Sequence, residues 1–131
     1  MDAREFISPG MSAERVLTVT PEITVRHFVP ATPAVYATPM MIMAMEMTAA
    51  DAIAAVLPEG FVTVGTEVDI RHLAATPVGR QVRTTARVTA VERKVIRFEV
   101  EAFDGERRIG EGHHARGLVN AVNFSRRLGV P

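Results

Sequence analysis

The run Met40-Met41-Ile42-Met43-Ala44-Met45-Glu46-Met47 constrains the fold more than any other part of the chain, because it reads as a helix that is apolar on nearly every side. Thr38 and Pro39 start it, since threonine is a favoured N-cap and proline is tolerated at the first helical position. The pattern continues to about Val56 and stops before Pro58 and Gly60. A helix lying on a protein surface shows a polar stripe, and the first three turns here have none. The helix therefore has to be enclosed.

Everything after it reads as strand. Val62, Val64, Val68, Ile70 and His72 share one parity and Thr63, Glu67, Asp69 and Arg71 the other, so His72 is expected on the apolar face. Gly65 interrupts this strand and predicts a bulge or a close approach by another group. Thr76, Pro77 and Gly79 make a turn. Val82, Thr84, Ala86, Val88 and Ala90 then alternate with polar residues, and Ile96, Phe98, Val100 and Ala102 do the same after a charged tip at Glu92, Arg93 and Lys94. Asp104 and Gly105 predict a tight hairpin turn. A last strand from Arg107 to about Val119 precedes a helical turn near Asn120 to Arg127. Upstream of the long helix, Leu17, Val19, Ile23 and Val25 alternate as one strand interrupted at Pro21, and residues 1–13 lack periodicity and are expected to form a loose arm.

The order is one strand, one long helix and four antiparallel strands, with no βαβ alternation. A sheet of about five strands, each with a single apolar face, hides that face and the helix together only by curling around it. That is an α+β fold of the hot-dog type, one antiparallel sheet wrapped around a long central helix. With 131 residues, the chain is expected to be a single domain. One sheet on one helix leaves a sheet edge and an end of the helix uncovered, so a homodimer or a higher oligomer is expected.

Composition narrows the chemistry. Fifteen basic residues balance fifteen acidic ones, which removes the positive field that nucleic acid or an anionic membrane requires. The chain has no cysteine, so thiolate nucleophiles and Cys-ligated metals are excluded. Ser8, Ser12 and Ser125 lie near the ends, outside any Gly-x-Ser-x-Gly elbow, and the single lysine, Lys94, sits in a hairpin tip. Without an 18-residue apolar run or a basic, apolar leader, the expected location is the cytoplasm.

Three residues stand out as carriers of chemistry. Glu46 is the only charged residue between Met40 and Ala50, and a lone carboxylate in an enclosed helix is costly unless a cation or hydrogen-bond donors hold it. His72, on the inward parity, is placed for general acid or base work, although parity alone fits a core histidine as well. Thr38 is explained as a helix cap, while a hydroxyl at a helix N-terminus also suits an oxyanion or a nucleophilic role. Eight helical residues span a rise of about 12 Å, so Thr38 and Glu46 of one chain should not touch; two antiparallel helices across a two-fold axis would bring them together. The methionines read as adaptable core packing. His113 and His114 are adjacent in a strand and face opposite sides, so they do not chelate one metal. Arg71, Arg80, Arg83 and Arg116 read as solvated residues on outer strand faces with some capacity for phosphate.

Val35-Tyr36-Ala37-Thr38-Pro39, Glu46, Val64-Gly65-Thr66, His72 with Ala74-Ala75-Thr76-Pro77 and Gly79, and the late Gly110-Glu111-Gly112-His113 segment running to Arg116 together resemble the hot-dog thioesterases of the fluoroacetyl-CoA thioesterase-like group. The resemblance covers most of the chain. It implies a catalytic set of Thr38, Glu46 and His72, substrate contacts from Gly65, Tyr36 and Arg116, a CoA thioester substrate, a homodimer, and no metal or organic cofactor. It leaves the acyl group open. The expected function is thus hydrolysis of a small or medium acyl-CoA at a dimer-interface site, with Glu46 activating water or attacking the carbonyl, His72 moving protons, and Thr38 holding the carbonyl oxygen. The alternatives are a hot-dog hydratase or dehydratase acting on acyl thioesters, and a non-catalytic acyl-CoA binding protein. A binding protein has no need of a costly buried acid.

Overall fold

The computed structural model describes residues 1–131. In chain order it contains β1 (Ser12–Thr18), a short helix α1 (Val25–Phe28), the long helix α2 (Thr38–Ala54), β2 (Phe61–His72), β3 (Gln81–Val91), β4 (Val95–Asp104), β5 (Arg107–Asn120) and α3 (Ala121–Leu128). All five strands join one antiparallel sheet in the order β1-β3-β4-β5-β2, and α2 touches every one of them, chiefly β3 and β1. The α+β architecture is the one expected.

The core lies between the helix and the middle of the sheet. Met41, Ala44, Met45, Thr48, Ala49 and Ile53 are buried at the three- and four-residue spacing of one helix face. Opposite them, Val82, Thr84, Ala86 and Val88 of β3 and Ile96, Phe98, Val100 and Ala102 of β4 are buried in strict alternation, as their sequence pattern predicts. Full burial of a side chain such as Met41 or Phe98 contributes about 1.5–3 kcal/mol. Gly110 makes room for the helix, because a Cβ there would stand 2.5 Å from Met41 Sδ.

Four expectations change. The helix is not enclosed by its own chain: Met43 and Met47, one turn apart, are 54% and 42% exposed. Its low polarity thus serves two faces, only one of which meets the sheet. The first thirteen residues are not a loose arm, because Ala3 and Ile7 belong to the core and Ala3 N–H donates to the Arg93 carbonyl at 2.7 Å. Two buried apolar side chains and backbone bonds suffice to hold a segment that has no periodicity. The strand expected through Val25 ends at Thr18, since Pro21 opens a 3-10 turn (Pro21–Ile23) that leads into α1.

The fourth change concerns β2. Its register against β5 shifts between Gly65 and Glu67, so Thr66 is an extra residue and the strand's parity reverses there. Thr63 and Gly65 before the bulge and Ile70 and His72 after it face the same side, while Val62 and Val64 face the other. Gly65 is therefore at a bulge, as its position in the strand predicts. β2 is also an edge strand, with Val62 and Val68 exposed at 43% and 45%.

Candidate active site

Thr38 is the first residue of α2, and the N-cap position belongs to Ala37. Its hydroxyl makes no capping bond. It lies instead 2.7 Å from Nδ1 of His72, at the far end of β2. The expected cap is thus a side-chain pair bridging helix and sheet. Pro39 supplies no N–H, and Met40 and Met41 both donate to the Ala37 carbonyl at 3.0 Å, which leaves the Thr38 N–H as the one helix-start donor without a backbone partner.

Nε2 of His72 is buried and has no hydrogen-bond partner. Burial pushes the imidazole below its ordinary value of 6.5, and a weak interaction with the Ala74 backbone, short of hydrogen-bond geometry, opposes this. The ring is neutral at physiological pH and available as a base. Tyr36 packs edge-on against it, with ring centroids 6.4 Å apart, and its hydroxyl reaches the Met40 carbonyl at 3.4 Å. Burial pushes that phenol up to about 12, so it stays protonated. Tyr36, Thr38, Pro39, His72, Leu73 and Ala74 border a largely apolar cavity of about 470 Å³ at this end of the helix.

Glu46 occupies a second cluster, two turns along the helix. Its Oε2 lies 3.6 Å from Nη1 of Arg116, and its side chain is 34% exposed, so the single chain leaves about a third of it open. Arg116 is not on an outer strand face. It points inward from β5, nearly fully buried, donating from Nε to Thr63 Oγ1 (2.9 Å), from Nη2 to the Thr63 carbonyl (3.0 Å) and from Nη1 to His114 Nε2 (3.1 Å). Burial lowers the guanidinium from its usual range and the Glu46 charge opposes this. Gly65 faces the same cluster: a Cβ there would stand 2.6 Å from Glu46 Oε2 and 3.3 Å from His114 Cε1. The close approach expected at Gly65 is thus made by the acid itself.

The two clusters do not meet within one chain. No hydrogen bond or ion pair links Glu46 to Thr38 or His72, as the eight-residue helical spacing requires. The sequence expectations group Thr38, Glu46 and His72 as one set; the structure brings Thr38 and His72 together, keeps Glu46 apart within the chain, and adds His114 and Thr63 beside Arg116 at the second cluster. The signal for His114 lay in the alternation Gly110, Gly112, His114, Arg116, which puts two small and two polar residues on one face of β5. His113, of opposite parity, is exposed.

Likenesses to known proteins identify the family. Residues 19–122 match the family of fluoroacetyl-CoA-specific thioesterases, FlK. A fluoroacetyl-CoA thioesterase from Streptantibioticus cattleyicolor is 35% identical over 116 residues, 84% of each chain. A solved structure of the fluoroacetyl-CoA thioesterase FlK superposes with a TM-score of 0.88 at 32% identity, covering 94% of this chain and 96% of that one. A thioesterase superfamily member from Thermus thermophilus gives a TM-score of 0.87 at 33% identity over 94% and 93% of the two chains. A hot-dog-like protein from Thermanaerovibrio acidaminovorans gives 0.90 at 26% identity over 98% and 96%. A hot-dog sheet and helix, a hydroxyl–imidazole pair and a carboxylate held by an arginine accompany a match that spans most of the sequence, and the chain belongs to the fluoroacetyl-CoA-specific thioesterase family of thioester hydrolases.

Proposed function

We propose that this enzyme hydrolyses a small or medium acyl-CoA at a site completed by two copies of the chain, with Thr38 and His72 from one and Glu46 from the other. The observation that carries the reading is the 2.7 Å Thr38–His72 pair beside an apolar cavity, two helical turns from a carboxylate it does not touch. The exposed Met43 and Met47 stripe and the unpaired β2 edge supply an apolar surface for the second copy. Relatives of known structure have been solved with acetyl-CoA and with fluoroacetate and CoA, which supports a CoA thioester as the substrate class.

With the Thr38 hydroxyl donating to Nδ1, His72 takes the proton as the oxygen attacks the thioester carbonyl. The C–S bond then breaks, and His72 returns the proton to the leaving thiolate. Water, deprotonated by Glu46 of the second copy, attacks the resulting ester, and the proton passes back to Thr38 as the acid leaves. The Thr38 N–H, free at the helix start, is suited to the developing oxyanion, a role expected first of the hydroxyl. Tyr36 and Gly65 border the space for the acyl group, and Arg116 acts on the substrate side through the carboxylate that it faces. No metal or organic cofactor enters this scheme.

The test is free-thiol release from acetyl-CoA, fluoroacetyl-CoA and longer acyl-CoA esters, with sedimentation of the same sample. Turnover by a species of about twice the chain mass is expected. A fully active monomer overturns the shared site, and absence of turnover across the series overturns the substrate class.

A further inference from the structure

His114 is a buried titratable group that the mechanism above does not use. Its ring stacks on Phe98, with centroids 6.1 Å apart and planes inclined by 28°. Nδ1 lies 2.8 Å from the backbone carbonyl of Glu67, which only accepts, so Nδ1 must carry the proton. Nε2 is then a lone pair, and it accepts from Arg116 Nη1 at 3.1 Å. Both ring nitrogens are thus committed, and the tautomer is fixed by its neighbours.

The two bonds end at the two features that shape the Glu46 environment. Glu67 closes the bulge that carries Gly65 past the Glu46 carboxylate, and Nη1 of Arg116 is the guanidinium nitrogen nearest to Glu46 Oε2, at 3.6 Å. We infer that His114 is a positioning residue, which ties the β2 bulge to Arg116 and thereby sets where the Glu46 carboxylate stands. The inference rests on the role proposed for Glu46. A protonated His114 would lose its acceptor and face the Arg116 cation, so the arrangement exists only with a neutral ring. Burial and the Arg116 charge favour the neutral form, whereas Glu46 and the Glu67 carbonyl favour the charged one.

The experiment compares wild type with His114→Phe and His114→Gln. Phenylalanine keeps the stacking on Phe98 and removes both hydrogen bonds, while the glutamine amide oxygen can replace Nε2 as acceptor for Arg116. For acetyl-CoA, His114→Phe should lower kcat about 10- to 100-fold, the scale of losing a hydrogen bond to a charged group, with KM within about threefold. His114→Gln should recover most of kcat. Wild-type kcat in His114→Phe, or equal losses in both variants, overturns the inference. A readout independent of catalysis separates this from failure of the thioesterase reading: in wild type, nitrogen NMR of the imidazole should show a protonated Nδ1 and an unprotonated Nε2, and His114→Phe should shift the Arg116 side-chain resonances. An Nε2-protonated ring, or unmoved Arg116 resonances, overturns the inference even if acetyl-CoA is not turned over.

Discussion

The Thr38 hydroxyl lies 2.7 Å from Nδ1 of His72 across 34 residues of sequence, and this contact joins the start of α2 to the end of edge strand β2. A threonine before a proline at a helix start is ordinarily a cap. Here Ala37 takes the cap position, and the hydroxyl is left for the imidazole.

Replacing Thr38 therefore separates activity from stability. Thr38→Ala loses no cap bond and only the hydrogen bond to His72, so folding stability should fall by about 0.5–1.5 kcal/mol, the worth of one hydrogen bond. Its kcat should fall about a hundredfold or more. Thr38→Ser keeps a hydroxyl for His72 and should be far milder. Urea titration and thiol release on the same preparations check both parts, and a large loss of stability in Thr38→Ala would restore the cap.

The pH dependence has a definite sign. Burial holds the His72 and His114 imidazoles below 6.5, so between their folded values and 6.5 the unfolded chain binds more protons than the folded one. The stability from these neutral rings is fully present above 6.5 and is lost as pH falls through the depressed values. kcat/KM should follow the same direction, with an acidic limb whose midpoint lies below 6.5 as His72 protonates and ceases to act as a base. A pH–rate profile with an acidic midpoint above 6.5 contradicts this assignment.

Two glycines should respond in opposite ways to alanine. At Gly65 the new Cβ meets the far end of the flexible Glu46 side chain at 2.6 Å, which moves at little cost to the fold. Stability should change little, while displacement of the carboxylate lowers kcat about tenfold or more. At Gly112 the new Cβ would stand 2.0 Å from the backbone oxygen of Asp69, where nothing gives without separating β2 from β5. Gly112→Ala should lose several degrees of Tm or fail to fold, in contrast to Gly65→Ala. Circular dichroism melts of the two variants make the comparison.

Most of the sheet was legible because β3 and β4 have one buried face each, and a period of two survives wherever no residue is inserted. Thr66 is such an insertion, and beyond it the period continues on the other parity, so Val62 and Val64 were assigned to the wrong face. The inner face of β5 hides differently. Gly110 and Gly112 leave room for Met41 and for the β2 backbone, while His114 and Arg116 are polar, so the strand shows no apolar alternation although its inner face is buried. The resemblance groups Thr38 and His72 in one set without pairing them, and their contact across 34 residues needs the end of β2 to meet the start of α2, which no local pattern shows. The Glu46–Arg116 contact depends on a strand register that no local pattern encodes.

The separation of Glu46 from Thr38 gives the sharpest test of a shared site. Thr38→Ala and Glu46→Gln should each be inactive alone. If Thr38 of one chain works with Glu46 of the other, a mixed dimer holds one site with both residues intact and one site with neither. Random subunit exchange makes about half of the dimers mixed, so about a quarter of wild-type sites should reappear. If both residues act from the same chain, each site of a mixed dimer keeps one defect and mixing restores nothing. Mass spectrometry of tagged chains establishes that exchange has taken place. Restored turnover near a quarter, with exchange demonstrated, requires the carboxylate and the hydroxyl–imidazole pair to come from different copies. Exchange without restored turnover removes the cross-chain arrangement and returns Glu46 to its own chain, where reaching His72 would require α2 to unwind at its N-terminal turns.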